Sequence, residues 1–377
     1  MSASRRLLLV TNDFPPRQGG IQSFLWEIVR RLPPDQLAVY ASNHPGAAEF
    51  DRDLDFPVHR HPTGLLVPTP AAARRIVATR NQHGATSVWF GAAAPLGLLG
   101  STLRQAGVQR VVASTHGHEV GWALLPGARQ LLRRIADQVD VLTYLGEYTR
   151  RRLARVVGER AELARLTPGV DTETFNPSVD GGPVRARYGL VERPCVVCVS
   201  RLVPRKGQDQ LIRSWPAVLA RVPEARLLIV GGGRYAGRLH SLARRYQVDH
   251  RVSFTGPVPF AQLPEHFAAG DVFAMPCRTR RFGMDVEGLG MVFLEASATG
   301  LPVLAGDSGG APDTVQPGRT GYVVNGRDRV ELAARIVELL AEPERAAAFG
   351  RAGRAWVEQD WQWDRIADRM AELAGLD

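Results

Sequence analysis

Both halves of the chain alternate short apolar runs with amphipathic segments, and this alternation restricts the fold more than any other feature. In the first half the runs are "RLLLVTN", "LAVYAS", "SVWFGA", "RVVASTHG" and "DVLTYLG", separated by segments such as "IQSFLWEIVRRL". The second half repeats the scheme with "PCVVCVSRL", "ARLLIVGGG", "VSFTGPV", "DVFAMPC", "LPVLAGDSGG" and "TGYVV". Apolar runs separated by helical patterns suit parallel strands covered by helices on both faces. The expected class is therefore α/β, two doubly wound Rossmann-like domains with a cleft between them. The Gly-, Pro- and Asp-rich "LTPGVDTETFNPSVDGGPVRARYG" reads as the linker. At 377 residues the chain exceeds one ordinary core and suits two.

Several classes are set aside at this point. No apolar run reaches the ~18–20 residues that span a bilayer. In "MSASRRLLLVTNDFPP" the short apolar run meets Asn12, Asp13 and two prolines where a signal peptide would continue, so it reads as a first buried strand and the protein is expected to stay in the cytoplasm. Cys195, Cys198 and Cys277 are too few for a disulfide framework and read as reduced core residues. The formal charge of +9 calls for an acidic partner: nucleic acid, anionic lipid or a phosphorylated small molecule. Arginines crowd residues 127 to 158, which read as two helices around the strand "DVLTYL". That run is either a solvated face or a surface that rests on anionic headgroups; nucleic acid is not expected, because no zinc-finger spacing or stacking motif accompanies it. The acidic "DRDLD" at 51 to 55 reads as an exposed loop, and no metal is expected.

In doubly wound sheets ligands bind beyond the carboxyl ends of the strands. Five stretches fall there. Gly19 and Gly20 precede the first long helix, where glycines either make a plain turn or let backbone N–H groups approach a phosphate. "STHGHEV" places His116 and His118 beside Glu119. "VSRLVPRKGQDQ" carries Arg201 and Lys206, two cations that could converge on one diphosphate. Lys206 is the only lysine among 47 basic residues. Either it survived by chance in an arginine-rich chain, or a compact ammonium does something here that a flat guanidinium cannot. "IVGGGRY" reads as a tight strand-to-helix turn and does not match GxGxxG. In "DVEGLGMVFLEASATG", Glu287 stands in a loop, Gly288, Leu289 and Gly290 open a helix, and Glu295 falls about one and a half turns inside it. Backbone donors at such a helix start can bind phosphate, and carboxylates can accept from sugar hydroxyls. Two solvated glutamates on an ordinary helix are the other reading.

"SRLVPRKGQDQLI", "EGLGMVFLEASATGLPVLAGDSGGAPDTV" and the N-terminal "GGIQ" together resemble the retaining glycosyltransferases of family 4, which have the GT-B fold. The resemblance covers essentially the whole chain. It implies an acceptor-binding domain at 1–168, a sugar-nucleotide-binding domain at 169–355 and a final helix at 356–377 that crosses back to the first. "PCRTRRFGMDVEGLG" and "SGGAPDTV" look most like the actinobacterial group acting on phosphatidylinositol mannosides, which implies GDP-mannose as donor, a monomannosylated phosphoinositide lipid as acceptor, and no cofactor. Carried over, it implies that Arg201 and Lys206 hold the donor diphosphate, Glu287 the sugar hydroxyls, and Glu295 the ribose. Gly288, Leu289 and Gly290 would lie along the donor, and Ser253 and Val258 would meet the base. Gly19 and Gly20 would border the donor and acceptor phosphates, His118 would line the reaction centre, and Asp13 would touch the acceptor. An anionic membrane surface, at the inner face of the cell membrane, follows as the place of work. Another sugar nucleotide or acceptor, or a non-catalytic nucleotide- or lipid-binding protein, are the competing readings.

Overall fold

The structure is a computed structural model and describes residues 5–117, 119–122 and 125–376. The chain divides into two compact units, residues 1–168 with 363–377, and residues 169–362.

Unit 1 holds a seven-stranded parallel sheet: β1 (Leu7–Thr11), β2 (Leu37–Ala41), β3 (Val58–Arg60), β4 (Ser87–Phe90), β5 (Arg110–Ser114), β6 (Val141–Tyr144) and β7 (Glu162–Arg165), in the order β3-β2-β1-β4-β5-β6-β7. The run Leu7–Val10 is apolar without interruption because both of its faces are covered. Leu7 and Leu9 join Leu25 and Ile28 of the helix Gly20–Val29, and Ile366, Met370 and Leu373 of the last helix, Trp363–Ala374. Leu8 and Val10 face the other way, into a second cluster with Ile76, Leu103 and Leu153. The last helix also ends on the sheet: Ser87 Oγ donates to the Ala374 carbonyl at 2.7 Å and Arg110 Nε to that of Leu373 at 3.1 Å. Two carbonyls that a helix end leaves unpaired are thereby satisfied.

Unit 2 repeats the design with six parallel strands: β8 (Cys195–Val199), β9 (Arg226–Val230), β10 (Val252–Phe254), β11 (Val272–Met275), β12 (Val303–Gly306) and β13 (Gly321–Val324), ordered β10-β9-β8-β11-β12-β13. One continuous core runs through it. Residue 356, where the resemblance started the final helix, lies inside the helix Pro343–Asp360, whose Val357 is buried in the unit 2 core with Trp361 just beyond. The chain passes to unit 1 at Trp363.

In each sheet the first strand is flanked by the second and the fourth, so the strand order reverses beside it. That reversal point, β1/β4 in unit 1 and β8/β11 in unit 2, is where an open α/β sheet leaves room for a ligand. Among the described residues no helix is long and apolar enough to cross a membrane.

The buried seam of the last helix yields a stability prediction. Met370→Ala empties a fully buried position and is expected to cost about 2–5 kcal/mol of unfolding free energy, whereas Arg365→Ala on the exposed face changes it by less than about 0.5 kcal/mol. Denaturant unfolding of the two variants checks this.

Candidate functional site

In unit 2 the site begins where β8 ends. The chain turns through Pro204–Lys206 into the helix Gln208–Leu219, and Gly207 makes the turn at φ 83°. A Cβ there would overlap the Pro276 carbonyl oxygen just past β11, so the helix start is pressed against the neighbouring strand end. The contact is locked from the other side by Arg278, which forks onto Asp209 at 2.8 and 3.0 Å. Gln208 Nε2 donates to Ser200 Oγ at 2.8 Å and to the Arg201 carbonyl at 3.0 Å, fixing the loop that carries the cations.

Those cations have different surroundings. Arg201 is exposed, and among the described residues its guanidinium has no ion partner. Lys206 is only 8% exposed, and its Nζ lies 2.8 Å from Glu287 Oε2, itself on a residue 6% exposed. They therefore do not share one position: Lys206 sits at the floor, salt-bridged, while Arg201 stands at the rim. Arg205 is a third cation that the spacing argument overlooked, with Nε 3.7 Å from Glu287 and Nη1 3.8 Å from Asp285. It was visible as the neighbour of Lys206 in "PRKG".

Glu287 is held by its backbone. Its N–H donates to Ser308 Oγ at 3.3 Å, and its carbonyl accepts from the Gly310 N–H at 3.0 Å, both from the loop after β12. Gly309 lies so close to that carbonyl that any Cβ would collide with it. The "SGGAP" motif thus acts by gripping the Glu287 segment. Gly290 precedes the helix Met291–Ala298 at φ 90°, and a Cβ there would run into the Phe293 ring, so glycine is required by both conformation and space. Burial pushes the Glu295 carboxyl up to about 7, with the Lys206 ammonium pulling the other way. Burial also pushes the Cys195, Cys198 and Cys277 thiols up to about 12, and all three are free, which leaves them inert core residues. Arg205 Nε, Gln208 Oε1 and Glu287 Oε2 are buried and make no aligned hydrogen bond. These three lie near one strand end, where a polar ligand can meet them; other such atoms occur elsewhere among the described residues.

The remaining unit 2 candidates are distributed. Gly231 and Gly233 pack against the carbonyls of Ser200 and Leu202, so the "GGG" turn is explained by close backbone approach. Val258 lies beyond β10, and Ser253 is the middle residue of that three-residue strand, paired with Leu228.

In unit 1, Gly19 and Gly20 are exposed at the start of the helix Gly20–Val29. Asp13 accepts from Gln22 Nε2 at 2.7 Å, tying the end of β1 to that helix. His116 is a structural residue: its Nε2–H donates to the Gly91 carbonyl at 2.6 Å, its N–H donates to Glu119 at 3.0 Å, and its ring packs on Phe24. His118 lies outside the described residues. Asn12, which the sequence argument passed over, bonds both polar groups of the Leu66 backbone at 2.6 and 2.7 Å. Asp51 of "DRDLD" is committed to Arg60. Arginines of the 127–158 run are partly spent locally: Arg150 and Arg151 hold Glu147, lowering its carboxyl to about 2, and Arg152 lies over the Tyr148 ring.

Two Rossmann-type sheets of matching strand order, the second carrying cations, a caged carboxylate and glycine-built turns at its reversal point, define a glycosyltransferase of the GT-B fold. "Glycosyltransferase Family 4" matches residues 18–174 and "Glycosyl transferases group 1" matches residues 184–356. The chain belongs to this glycosyltransferase family and is an enzyme of it. It is 54% identical, over 97% of both chains, to the GDP-mannose-dependent alpha-(1-6)-phosphatidylinositol monomannoside mannosyltransferase of Mycolicibacterium smegmatis. To the GDP-mannose-dependent monoacylated alpha-(1-6)-phosphatidylinositol monomannoside mannosyltransferase of Corynebacterium glutamicum it is 48% identical over 99% of this chain and 98% of the other. Among solved structures, Anabaena HepE in complex with UDP superposes with a TM-score of 0.79 at 20% identity, over 97% of this chain and 98% of that one, a likeness of fold.

Glu295 supplies a pH prediction. Between about pH 4.5 and 7 the unfolded chain has released this proton while the folded chain keeps it, so its contribution to stability falls as pH rises through that window. Glu295→Gln removes the decline. The melting temperature of the variant relative to the unaltered protein is therefore expected to rise from about pH 5 to about pH 8; a constant difference would place Glu295 in the ordinary carboxylate range.

Proposed function

We propose that this enzyme moves mannose from GDP-mannose to the inositol of phosphatidylinositol monomannoside, giving the dimannoside with retention at the anomeric carbon. The observation that carries this reading is the assembly of Lys206, Arg205 and Glu287 at one strand end, with Arg201 at its rim, in a chain alike over nearly its whole length to enzymes named for that transfer.

The difficulty of the reaction lies in the bond between the sugar and the diphosphate. As it breaks, negative charge grows on the departing phosphate oxygen, and fixed cations lower the barrier by meeting that charge without reorganising. Arg201, free at the rim, forks onto the diphosphate, and Lys206 supplies a point charge from below. Glu287, its backbone clamped by Ser308 and Gly310, accepts from mannose hydroxyls, and Glu295 from the ribose. The acceptor hydroxyl attacks the anomeric carbon from the face that GDP leaves. Its oxygen forms the new glycosidic bond, and its proton passes to the leaving phosphate oxygen. Asp13, Gly19, Gly20 and His118 serve the acceptor and its phosphate, and Val258 the guanine edge. With arginine and lysine carrying the charge, neither metal nor cofactor is called for. A lipid acceptor and a sugar-nucleotide donor together fit work in the cytoplasm, at the inner face of the cell membrane.

The single lysine follows from its surroundings. Enclosed by Glu287 and the turn at Gly207, position 206 takes a slim ammonium, whereas a guanidinium would push into the donor or displace Glu287. Lys206→Arg is expected to lower kcat about a hundredfold or more although charge is kept, in the range seen when one preorganised donor is lost; near-normal turnover would contradict the assignment. The function itself is tested with radiolabelled GDP-mannose and a phosphatidylinositol monomannoside acceptor, with and without EDTA, beside UDP-glucose. Labelled dimannoside from GDP-mannose alone, unaffected by chelation, is expected. Transfer from UDP-glucose to that acceptor instead would retain the site and the acceptor and discard the donor.

A further inference from the structure

Just before Glu287 the chain leaves the body of unit 2 in a small hairpin. The N–H of Arg280 donates to the Asp285 carbonyl at 2.9 Å and the N–H of Asp285 to that of Arg280 at 3.2 Å, closing it at the base. At its tip Arg281 and Phe282 take left-handed backbone angles, φ 49° and 55°, followed by Gly283 at 92°. Bulky L-residues avoid this region, and two in succession constitute local strain. The consequence is full presentation of the ring: Phe282 is 102% exposed and Met284 65%. Neither belongs to the core of unit 2.

The surroundings of this apolar point are cationic. Arg281 is exposed, and among the described residues it has no ion partner. Arg280 has only a 3.5 Å contact with Asp285, and Arg327 reaches in to donate to the Thr279 carbonyl at 2.6 Å. A stable protein interface takes about 800 Å² and roughly 20–30 residues from each partner. Two apolar side chains on a narrow tip, collared by guanidiniums, instead match the boundary of an anionic bilayer, where the apolar groups enter below the headgroups and the cations stay at the phosphates.

We propose that the hairpin Arg280–Asp285 is an insertion point for an anionic phospholipid surface, with Phe282 and Met284 entering the acyl boundary and Arg281 on lipid phosphate. Its purpose rests on the reading of the acceptor as a lipid. Asp285 at the hairpin base lies 3.8 Å from Arg205, and Glu287 follows two residues later, so the segment that meets the lipid is continuous with the one that holds the donor sugar.

The test uses the full chain and the double variant Phe282→Asn with Met284→Ser; asparagine accepts the left-handed angle, so the hairpin keeps its backbone. Co-sedimentation is measured with phosphatidylcholine vesicles with and without phosphatidylglycerol, and transfer is measured to a vesicle-embedded and to a deacylated, water-soluble acceptor. The unaltered protein is expected to bind the phosphatidylglycerol vesicles, the variant about tenfold or more weakly, and Arg281→Gln to reduce the salt-sensitive part of binding. Transfer to the embedded acceptor falls with it, and transfer to the soluble acceptor does not. Equal vesicle binding by the variant, no binding by the unaltered protein, or loss of self-association in place of vesicle binding would overturn the proposal. If neither protein transfers mannose, the proposed function falls while sedimentation still decides the hairpin.

Discussion

The contact between Lys206 and Glu287 is the constraint around which unit 2 is arranged. Both residues are nearly excluded from water, and a buried charge is tolerated only when it is paired and its partner is held in place. Each partner is fixed by a different strand end. Gly207 and the Arg278–Asp209 fork press the lysine turn onto β11, and Ser308, Gly309 and Gly310 grip the glutamate from beyond β12. Three loops that could otherwise move independently are coupled through one ion pair.

The two units show how one architecture takes different roles. Both sheets reverse strand order beside their first strand, and unit 2 fills the reversal point with the Lys206–Glu287 ion pair. In unit 1 the corresponding position is built from hydrogen bonds: Asn12 on the Leu66 backbone, Gln22 on Asp13, His116 on Gly91. A site of hydrogen-bonding groups fits a hydroxyl-rich acceptor, and a site of cations fits a diphosphate.

Much of this was legible in the sequence. All six strands of unit 2 were read from their apolar runs, because β8, β11 and β12 are buried throughout and β9, β10 and β13 are still mostly apolar. In unit 1, β3 and β7 escaped: Val58–Arg60 is three residues long, and Glu162–Arg165 is an edge strand with charged residues at both ends. The identity of Lys206, Glu287 and Glu295 as a set was readable; their relation was not. Spacing let Arg201 and Lys206 converge on one diphosphate, but it did not show that the fold buries one and exposes the other. Arg205 was missed because adjacent residues in an extended segment diverge, and only the tight turn before Gly207 brings both toward Glu287. The role of "SGGAP" as a clamp was invisible, since a backbone grip across 20-odd residues leaves no trace in side-chain type.

The most direct test of the central claim is a crystal structure with GDP-mannose bound. The account predicts diphosphate oxygens within hydrogen-bonding distance of Lys206 Nζ and the Arg201 guanidinium, with a mannose hydroxyl on Glu287. A diphosphate bound away from β8 and β11, with Lys206 still touching only Glu287, would contradict it.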